Sequence, residues 1–496
     1  MNTSKTGLSE VGIREIGFLL SKAQSAASYT GINYQTAQNL FADLYAQYFA
    51  TTATYFNSDR YVIRQDWITT QWSQVYVGTV PQLLSIMANT DSTSAEHAIA
   101  KIWWVWTFHR TTDYYGPIPY FSAGHGTESV PYDAQDKIYN DFFKKLDEAL
   151  AVLITVTSEA STYGPYDLIY HGDISKWIKF GNTLKLRLAM RVSKVEPKLA
   201  RQKAEEAVAA GVMETAGTYS VPQDDAYMDK PNLNGDANGL AYISSWGEFR
   251  MSAAMESVLK GYDDPRIGKY YSPSVKTGTY EGLRNGYSST ELSTLSGNSA
   301  DDNSNSGPLL NGDNFTNTAA LTRPQNIMHS AEAYFIRAEG ALLGWNMGGT
   351  AQELYGKGIR ASLIQWGITD ENSIASYINS SNTPIAPDDA VHSAALSNTP
   401  IKWASDKTTQ LIQIAIQKWV ALYPDGVEAW ADLRRSDQLK LYDRINSDNA
   451  DLPANVLIKR LPFLTSDAQS NGAAVEAAKS LLDGSDSPGT PLWWDK

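Results

Sequence analysis

Apolar residues recur every three or four positions in several stretches of the chain, which is the spacing of amphipathic helices. The pattern predicts helices over residues 34–55, 133–153, 175–192, 330–343, 410–422 and 427–433. Two more helices are marked by their ends: one begins at Pro197 and ends at Gly211, and one opens with a capping box from Thr350 to Glu353. The hydrophobic pattern therefore favours a mainly α-helical protein.

Short turns join neighbouring helices into antiparallel pairs, as at Pro424-Asp-Gly426. Such pairs have the size of tetratricopeptide units, although no strict repeat consensus is legible. We expect a loose superhelix of these pairs over about residues 34–215 and 324–440. Asp133 is expected to be the N-cap of the helix that follows it.

The helical spacing stops between about residues 217 and 323, where Gly, Asn, Ser, Asp and Tyr dominate. An irregular segment of this length inside a compact protein is usually either functional or disordered. Disordered linkers are poor in aromatic residues, whereas this segment contains many. We therefore expect a long, irregular, loop-rich ligand-binding region inserted between the two sets of helix pairs.

Composition narrows the functional classes. The 496 residues include 41 Lys and Arg, 54 Asp and Glu, and no Cys. Without Cys the chain has no disulfide framework, no zinc ribbon and no thiol nucleophile. The net charge of −13 argues against binding to nucleic acid, which depends on clustered positive charge.

No familiar catalytic motif is present in the sequence, and the six His residues show no metal-ligand spacing. A glycoside hydrolase requires only two carboxylates, and 54 acidic residues leave that alternative open. Charged residues at helical spacing, such as Glu332, Arg337, Glu428 and Asp432, are predicted to form interhelical salt bridges. We predict that the protein is not an enzyme.

Aromatic residues make up 11% of the chain, and Trp and Tyr outnumber Phe. The Trp residues at helical spacing are predicted to be core: Trp103, Trp104, Trp177, Trp419 and Trp430. Other aromatics lie among Gly, Ser, Asn and Asp, in what we interpret as loops. An exposed ring stacks on the C–H face of a sugar while polar neighbours bind its hydroxyls. The candidate ligand-binding residues are Arg64, Trp67, Trp72, Trp246, Tyr280 and Tyr287.

Two loops partly match a calcium-binding loop. Residues 234–239, Asn-Gly-Asp-Ala-Asn-Gly, place side-chain oxygens at alternate positions, but Ser245 stands where an EF-hand loop has its bidentate Glu. Residues 301–307 lack the Gly that such a loop has at its sixth position. Turns explain both segments more simply, so we predict no cofactor and no metal site, with calcium as the alternative.

Several motifs follow one another along nearly the whole chain. They include Tyr115-Gly-Pro-Ile-Pro-Tyr120, Asp263-Asp-Pro-Arg266, Glu332-Ala-Tyr-Phe-Ile-Arg-Ala-Glu339, Glu428-Ala-Trp-Ala-Asp-Leu-Arg-Arg435 and Leu492-Trp-Trp494. In their order and spacing they resemble the SusD/RagB family of outer-membrane nutrient-binding lipoproteins, in particular its SusD-like branch. Pro117 departs from the family pattern, which has an acidic residue at that position.

This resemblance implies a mostly helical fold on tetratricopeptide-like helix pairs, with an irregular second half that carries the ligand surface. It implies a non-catalytic cell-surface protein that binds an oligosaccharide or polysaccharide and delivers it to a SusC-like TonB-dependent transporter. A peptide receptor, as on the RagB side of the family, is the alternative.

The resemblance also implies a location on the extracellular face of the outer membrane. Family precursors carry a signal peptide and one lipidated N-terminal Cys, neither of which is in this sequence. Residues 1–33 are accordingly predicted to be an N-terminal tether and first segment, and residues 34–496 a single SusD-like domain.

Overall fold

The computed structural model describes residues 12–125, 129–156, 162–230 and 235–496. Helices predominate in these residues and the strands are short, which confirms the predicted mainly α-helical class. The helices of the first half are α1 Ile13–Ala27, α2 Gln65–Tyr76, α3 Val80–Ala88, α4 Ala95–Tyr115, α5 Gln135–Leu153, α6 Ile174–Arg191 and α7 Pro197–Ala210. Shorter helical turns are a π-helix at Gln35–Asp43 and 3₁₀ turns at Ser58–Arg60 and Gly164–Tyr166.

The second half begins with short helices and ends with longer ones. The short helices of the loop-rich region are α8 Gly239–Ser244, α9 Ala253–Gly261, α10 Ile267–Tyr270, α11 Ser289–Thr294 and α12 Thr318–Leu321. The remaining helices are α13 Ser330–Leu342, α14 Ala351–Gln365, α15 Glu371–Ile378, α16 Lys407–Leu422, α17 Gly426–Ser436, α18 Thr465–Ser470 and α19 Gly472–Lys479. The capping box at Thr350 and the predicted ends at Pro197 and Gly211 are confirmed.

Consecutive helices pack as pairs, and the pairs pack on one another. The pairs are α4 with α5, α6 with α7, α13 with α14, and α16 with α17. Helix α6 also packs against α13, so the helices before the loop-rich region contact those after it. This arrangement is the predicted superhelix of tetratricopeptide-like pairs.

Three short antiparallel strand pairs bring together segments that are remote in sequence. Strand β1 (Phe49–Thr51) pairs with β5 (Phe249–Met251), β2 (Ala216–Thr218) with β3 (Val221–Gln223), and β4 (Ala226–Met228) with β6 (Gln325–Met328). In the first pair Ala50 lies opposite Arg250. This pairing places the loop after β1 beside the loop before β5.

Trp residues fill much of the interior. All five predicted core Trp side chains are 5% exposed or less, which confirms that prediction. Most of their indole N–H groups donate to protein oxygens; Trp177, for example, donates to Asp167 at 2.7 Å, and Trp430 to the carbonyl of Ile458 at 2.8 Å. A buried indole thus fills volume and keeps its one polar group paired.

A buried ion-pair network joins four helices. Arg187 of α6 donates twice to Glu332 of α13, at 2.6 and 2.7 Å. One turn along α6, Arg191 donates to Glu428 of α17 at 2.6 Å and lies 3.2 Å from the carboxylate of Asp113 in α4. Each of these side chains is 3% exposed or less. The predicted interhelical salt bridges of Glu332 and Glu428 are therefore confirmed.

Two local predictions are wrong. The segment 34–55 is helical only in its first part, because its end forms β1, which pairs with β5. Asp133 does not cap α5, whose N-cap is Ala134. Its carboxylate instead accepts the backbone N–H groups of Tyr120 at 3.0 Å and Phe121 at 2.9 Å, and so holds the turn that follows α4.

The packed body begins before residue 34. Helix α1 contacts α3, and its residues Ile16, Leu20 and Ala23 are buried in the main core. The part of the predicted tether at residues 1–11 lies outside the described residues. None of the helices in the described ranges combines the length and apolar character that a bilayer span requires.

His329 is a buried titratable residue between β6 and α13. Neither of its ring nitrogens has a hydrogen-bond partner among the described residues, and its ring packs on Tyr227 at a centroid distance of 4.8 Å. Burial lowers the pKa of His329 from 6.5 to about 3, because the imidazolium ion would lose its hydration there. The folded protein therefore keeps this ring neutral in mild acid.

Replacement of this histidine, His329→Phe, should reduce the loss of stability in acid. The unfolded chain takes up a proton near pH 6.5 and the folded chain does not, so the parent loses stability as the pH falls below 6.5. Between pH 7.5 and pH 5 we expect the parent to lose about 2 kcal/mol more unfolding free energy than the variant. Guanidinium unfolding at both pH values measures this difference, and equal losses in the two proteins would contradict it.

Candidate functional site

Arg64, which is exposed, and Trp67, which is half-buried, form one edge of an aromatic surface. Arg64 is the N-cap residue of α2, and Trp67 lies in the first turn of that helix. The guanidinium carbon of Arg64 is 4.4 Å from the Trp67 ring centroid, and Asp66 accepts from the same guanidinium at 2.7 Å. The hydrogen bond from Arg64 holds the pKa of Asp66 below its usual value. The cation–π contact and the ion pair together hold the arginine against the ring.

Tyr55 extends this surface away from α2. Phe56 packs edge-on against Trp67 at 5.5 Å, and Tyr55 packs on Phe56 at 4.8 Å. Phe56 is buried, whereas the Tyr55 side chain is 68% exposed. The buried phenyl ring therefore contacts both the exposed ring of Tyr55 and the half-buried ring of Trp67.

Glu248 connects Tyr55 to the loop before β5. One carboxylate oxygen accepts the Tyr55 hydroxyl, and the other accepts the Gln35 amide at 2.6 Å. The backbone carbonyl of Glu248 accepts the N–H groups of Thr52 at 3.0 Å and Ala53 at 3.2 Å. Partial desolvation, and then the contact with Glu248, raise the pKa of Tyr55 to about 12, so its hydroxyl remains a donor at neutral pH.

A second aromatic group lies next to Glu248 in the chain. Trp246 and Phe315 are 38% and 42% exposed, and their ring centroids are 6.2 Å apart. Tyr242 supports both rings edge-on, at 5.6 Å from Trp246 and 4.9 Å from Phe315. These edge-to-face contacts hold the two exposed rings in defined positions.

The backbone that presents Phe315 is strained. Asp313, Asn314 and Phe315 have φ angles of +47°, +50° and +66°, in the left-handed region that non-glycine residues rarely enter. The Asn317 side chain holds the loop by donating to the carbonyl of Asn311 at 2.9 Å. Such strain persists only where the surroundings enforce it, and it is concentrated at functional sites.

We call the four rings that reach the surface here the aromatic platform: Tyr55, Trp67, Trp246 and Phe315. Polar side chains border it, including Arg64, Asp66, Gln35 and Glu248. Flat apolar faces beside hydrogen-bonding groups suit a ligand with an apolar ring face and polar edges. Three of the six predicted site residues, Arg64, Trp67 and Trp246, belong to this surface.

Trp72 does not belong to it. Both Trp67 and Trp72 are predicted in a loop, and this is wrong because residues 65–76 form α2. Trp72 is half-buried and packs against Tyr76 at 4.4 Å and Tyr115 at 5.4 Å. The signal for a helix was present: Ile68, Gln71 and Val75, the buried residues of α2, have helical spacing.

Tyr287 and Tyr280 also lie apart from the platform. Tyr287 is 2% exposed and packs with Ala50, Leu283 and Leu292, so its ring offers no face to a ligand and the predicted binding role is corrected. A small apolar cluster under the loop accounts for this aromatic residue. Tyr280 is half-buried against the main core.

The partial calcium motifs are engaged in bonds within the protein. Asn234 lies outside the described residues, Asp236 accepts the Ser25 hydroxyl at 2.7 Å, and Asn238 caps α8. In the second loop Asp302 accepts the Ser299 hydroxyl at 2.6 Å. Within the described ranges, no group of three or more His, Cys, Asp or Glu side chains is arranged to hold a metal ion.

Tyr55, Phe315 and Glu248 were not among the predicted site residues. Tyr55 fell at the end of a predicted helix, although the β-branched residues Thr51 and Thr52 just before it favour a strand. Phe315 follows Asp and Asn, which enter the left-handed conformation more readily than other residues. No local signal marks Glu248, whose partners are remote in sequence.

The two kinds of aromatic residue should differ in their contribution to stability. Tyr287→Ala removes a buried ring and should lower the unfolding free energy by about 3 kcal/mol. Trp246→Ala removes a partly exposed ring and should change it by about 1 kcal/mol or less. Tyr287→Phe is the matched control, because the Tyr287 hydroxyl has no hydrogen-bond partner among the described residues. Denaturant unfolding measures all three, and a loss for Tyr287→Ala no larger than for Trp246→Ala would contradict the assignment.

Known proteins of one family are similar to this chain in both sequence and fold. A SusD-like family model, described as Susd and RagB outer membrane lipoprotein, matches residues 9–495. The chain is similar to the structure of a chitin-binding SusD homolog from Flavobacterium johnsoniae, with 34% identity, 98% of each chain covered and a TM-score of 0.86. A SusD-like protein from Bacteroides thetaiotaomicron shares 32% identity over 97% of this chain and 98% of its own, with a TM-score of 0.84.

A SusD homolog from Bacteroides uniformis shares 30% identity over 97% of this chain and 99% of its own, with a TM-score of 0.85. A comparison with curated proteins finds no match. The similarity to the solved structures extends over nearly the full length of both partners in each case.

Proposed function

Because the chain belongs to the SusD and RagB family of outer-membrane lipoproteins, as its motifs predicted, we propose that it is a non-catalytic surface protein that binds oligosaccharide or polysaccharide on the aromatic platform. The observation that carries this proposal is a set of four supported rings beside polar side chains: the exposed rings of Tyr55, Trp246 and Phe315 on loops, and the half-buried ring of Trp67 in the first turn of α2. The proposal requires no cofactor.

The geometry suits a glycan because a pyranose ring has two kinds of surface. Its C–H face packs on an aromatic ring, and its hydroxyls exchange water for side-chain hydrogen bonds. Arg64, held over Trp67, supplies donors at one side of the platform, and the Tyr55 hydroxyl, which donates its proton to Glu248, keeps lone pairs that can accept from a ligand. Net affinity should be modest, since desolvation offsets most of the gain from each neutral hydrogen bond.

The first glycan to test is a chitin oligosaccharide. The chitin-binding SusD homolog shares 34% identity with this chain, and its fold superimposes over almost the whole length. The methyl group of an N-acetyl substituent adds apolar surface, and its amide adds one donor and one acceptor. Both features match a surface of rings flanked by carboxylate and guanidinium groups.

A non-catalytic role agrees with how the carboxylates of the platform are used. Both oxygens of Glu248 accept hydrogen bonds, from Tyr55 and Gln35, and both oxygens of Asp66 accept from Arg64. A glycoside hydrolase needs one carboxyl group that gives up its proton and a second that acts as base or nucleophile. Carboxylates that are fully engaged in bonds within the protein are poorly placed for either role.

In this proposal the protein acts on the extracellular face of the outer membrane, held by an N-terminal lipid, and passes its ligand to a SusC-like TonB-dependent transporter. Family membership supports both parts. A peptide receptor is the alternative ligand class, because a surface of rings and polar groups also accepts backbone amides.

The aromatic platform is tested by removing its rings one at a time. We expect Trp67→Ala and Trp246→Ala each to weaken binding of a chitin oligosaccharide about tenfold, or about 1.4 kcal/mol, because each loses a stacking face. Trp345→Ala is the matched control, since Trp345 is a half-buried Trp in the turn between α13 and α14, beside Gly340. Isothermal titration calorimetry measures the three affinities.

Unchanged affinity in both platform variants would reject the site. If the protein bound members of a peptide library tightly and did not bind glycans, the ligand class would be peptide and not glycan. Release of reducing sugar during prolonged incubation with the bound glycan would favour the hydrolase.

A further inference from the structure

Arg323 differs from the other deeply buried arginines of the described chain. Arg187, Arg191 and Arg266 are each paired with a carboxylate. Arg323 is 5% exposed, and among the described residues its guanidinium meets neither a carboxylate nor a backbone carbonyl. Burial lowers the pKa of Arg323 from its usual value, and the hydroxyls of Tyr227 and Tyr219 oppose this shift.

Aromatic rings enclose this guanidinium. Its carbon is 3.8 Å from the ring centroid of Tyr219 and 5.6 Å from that of Trp366. Cation–π contacts compensate part of the lost hydration. They leave the five N–H donors of the guanidinium without an anionic acceptor.

Other polar groups around Arg323 also lack partners. The Tyr227 hydroxyl, both ends of the Gln365 amide and the Trp366 indole N–H have none among the described residues. These three side chains are 2–4% exposed, and Gln365 lies beside the Tyr227 hydroxyl. Leaving a buried polar group unpaired is costly, and here several such groups lie together.

Hydrogen-bond donors and acceptors are unequal in number in this cluster of side chains. A guanidinium and an indole only donate, and a phenol and an amide donate as well as accept. Donors therefore exceed acceptors, and the cluster carries one uncompensated positive charge. The complement of such a group is a small anion with several acceptor oxygens, because charge-assisted hydrogen bonds to a guanidinium are among the strongest in proteins.

The β2–β3 turn covers the guanidinium of Arg323 through the ring of Tyr219. Tyr219 is in the two-residue turn between β2 and β3 and is 39% exposed, and the next strand begins with Val221, which is 59% exposed. This hairpin is short. Its register pairs are Ala216 with Gln223 and Thr218 with Val221. The guanidinium thus lies against a side chain that is itself partly in solvent.

We propose that Arg323, Gln365 and Tyr227 form a binding site for a small oxyanion, a carboxylate or a sulfate, beneath the β2–β3 turn. The anion would accept from the guanidinium, the amide and the phenol, and Tyr219 would cover it. The source of the oxyanion is either a free ion or an acidic group on a sugar. The inference does not depend on the aromatic platform and stands or fails separately from glycan binding there.

Calorimetric titration tests the site with sodium sulfate, sodium acetate and sodium glucuronate, each at constant ionic strength, with glucose as the neutral comparison. We expect one binding event per chain for at least one oxyanion and none for glucose. Glucuronate binding at least tenfold tighter than acetate identifies a sugar acid as the source, and equal affinity identifies the free carboxylate. Absence of binding by all three anions would overturn the proposal.

Two variants and one control test whether the anion binds at Arg323. Arg323→Met and Gln365→Leu should each weaken oxyanion binding at least tenfold. Arg360→Met removes the same charge from an exposed residue on α14, the helix that contains Gln365, and should leave the affinity unchanged. An equal loss in Arg360→Met, or none in the first two variants, would show that binding reflects surface charge alone and would overturn the assignment.

A crystal soaked in selenate gives an independent readout that requires no variant. An anomalous peak within hydrogen-bond distance of the Arg323 guanidinium supports the site. Peaks only at exposed lysines and arginines contradict it.

Discussion

Two buried guanidinium groups on α6 tie the two halves of the protein together, because each is paired with a carboxylate from the second half. Arg187 and Arg191 lie one turn apart on α6, and their partners Glu332 and Glu428 come from α13 and α17, more than a hundred residues later in the chain. Either half alone would leave charges buried without compensation, which costs more than the pairs themselves contribute. The helix pairs therefore form one body, and the loop-rich region between them must begin and end close to the same network.

The aromatic platform depends on that body for its geometry. Three of its four rings come from loops, and a loop presents a ring reproducibly only when its ends are held. The β1–β5 pair holds the loop of Tyr55 against the loop of Trp246, and Glu248 bonds across the two. The left-handed residues before and at Phe315 store strain that the surrounding hydrogen bonds maintain. Rigid rings lose little entropy when a ligand stacks on them, which favours binding without an induced change.

In folded proteins, buried polar groups usually form hydrogen bonds and large apolar groups are usually buried. The platform and the Arg323 cluster depart from this rule in two different ways. The platform leaves apolar faces in contact with water, and the cluster leaves donors without acceptors. Each departure is unfavourable in the free protein, and a ligand of complementary chemistry would relieve it. The two places suit different ligands, because the platform can stack on a neutral ring whereas the Arg323 guanidinium favours a negatively charged group.

The sequence by itself determined the helical class, most of the long helices and the family, because helical periodicity, end caps and the order of motifs are local properties. It also separated core tryptophans from the rest, and among its candidate site residues are Arg64, Trp67 and Trp246, which lie on the proposed platform. It did not distinguish Trp72 and Tyr287 from them, and it missed Tyr55, Phe315 and Glu248 as members of one surface. Only the tertiary structure decided these points, because exposure and proximity come from strand pairing and packing between segments about two hundred residues apart, as between Tyr55 and Glu248. No local pattern records those contacts.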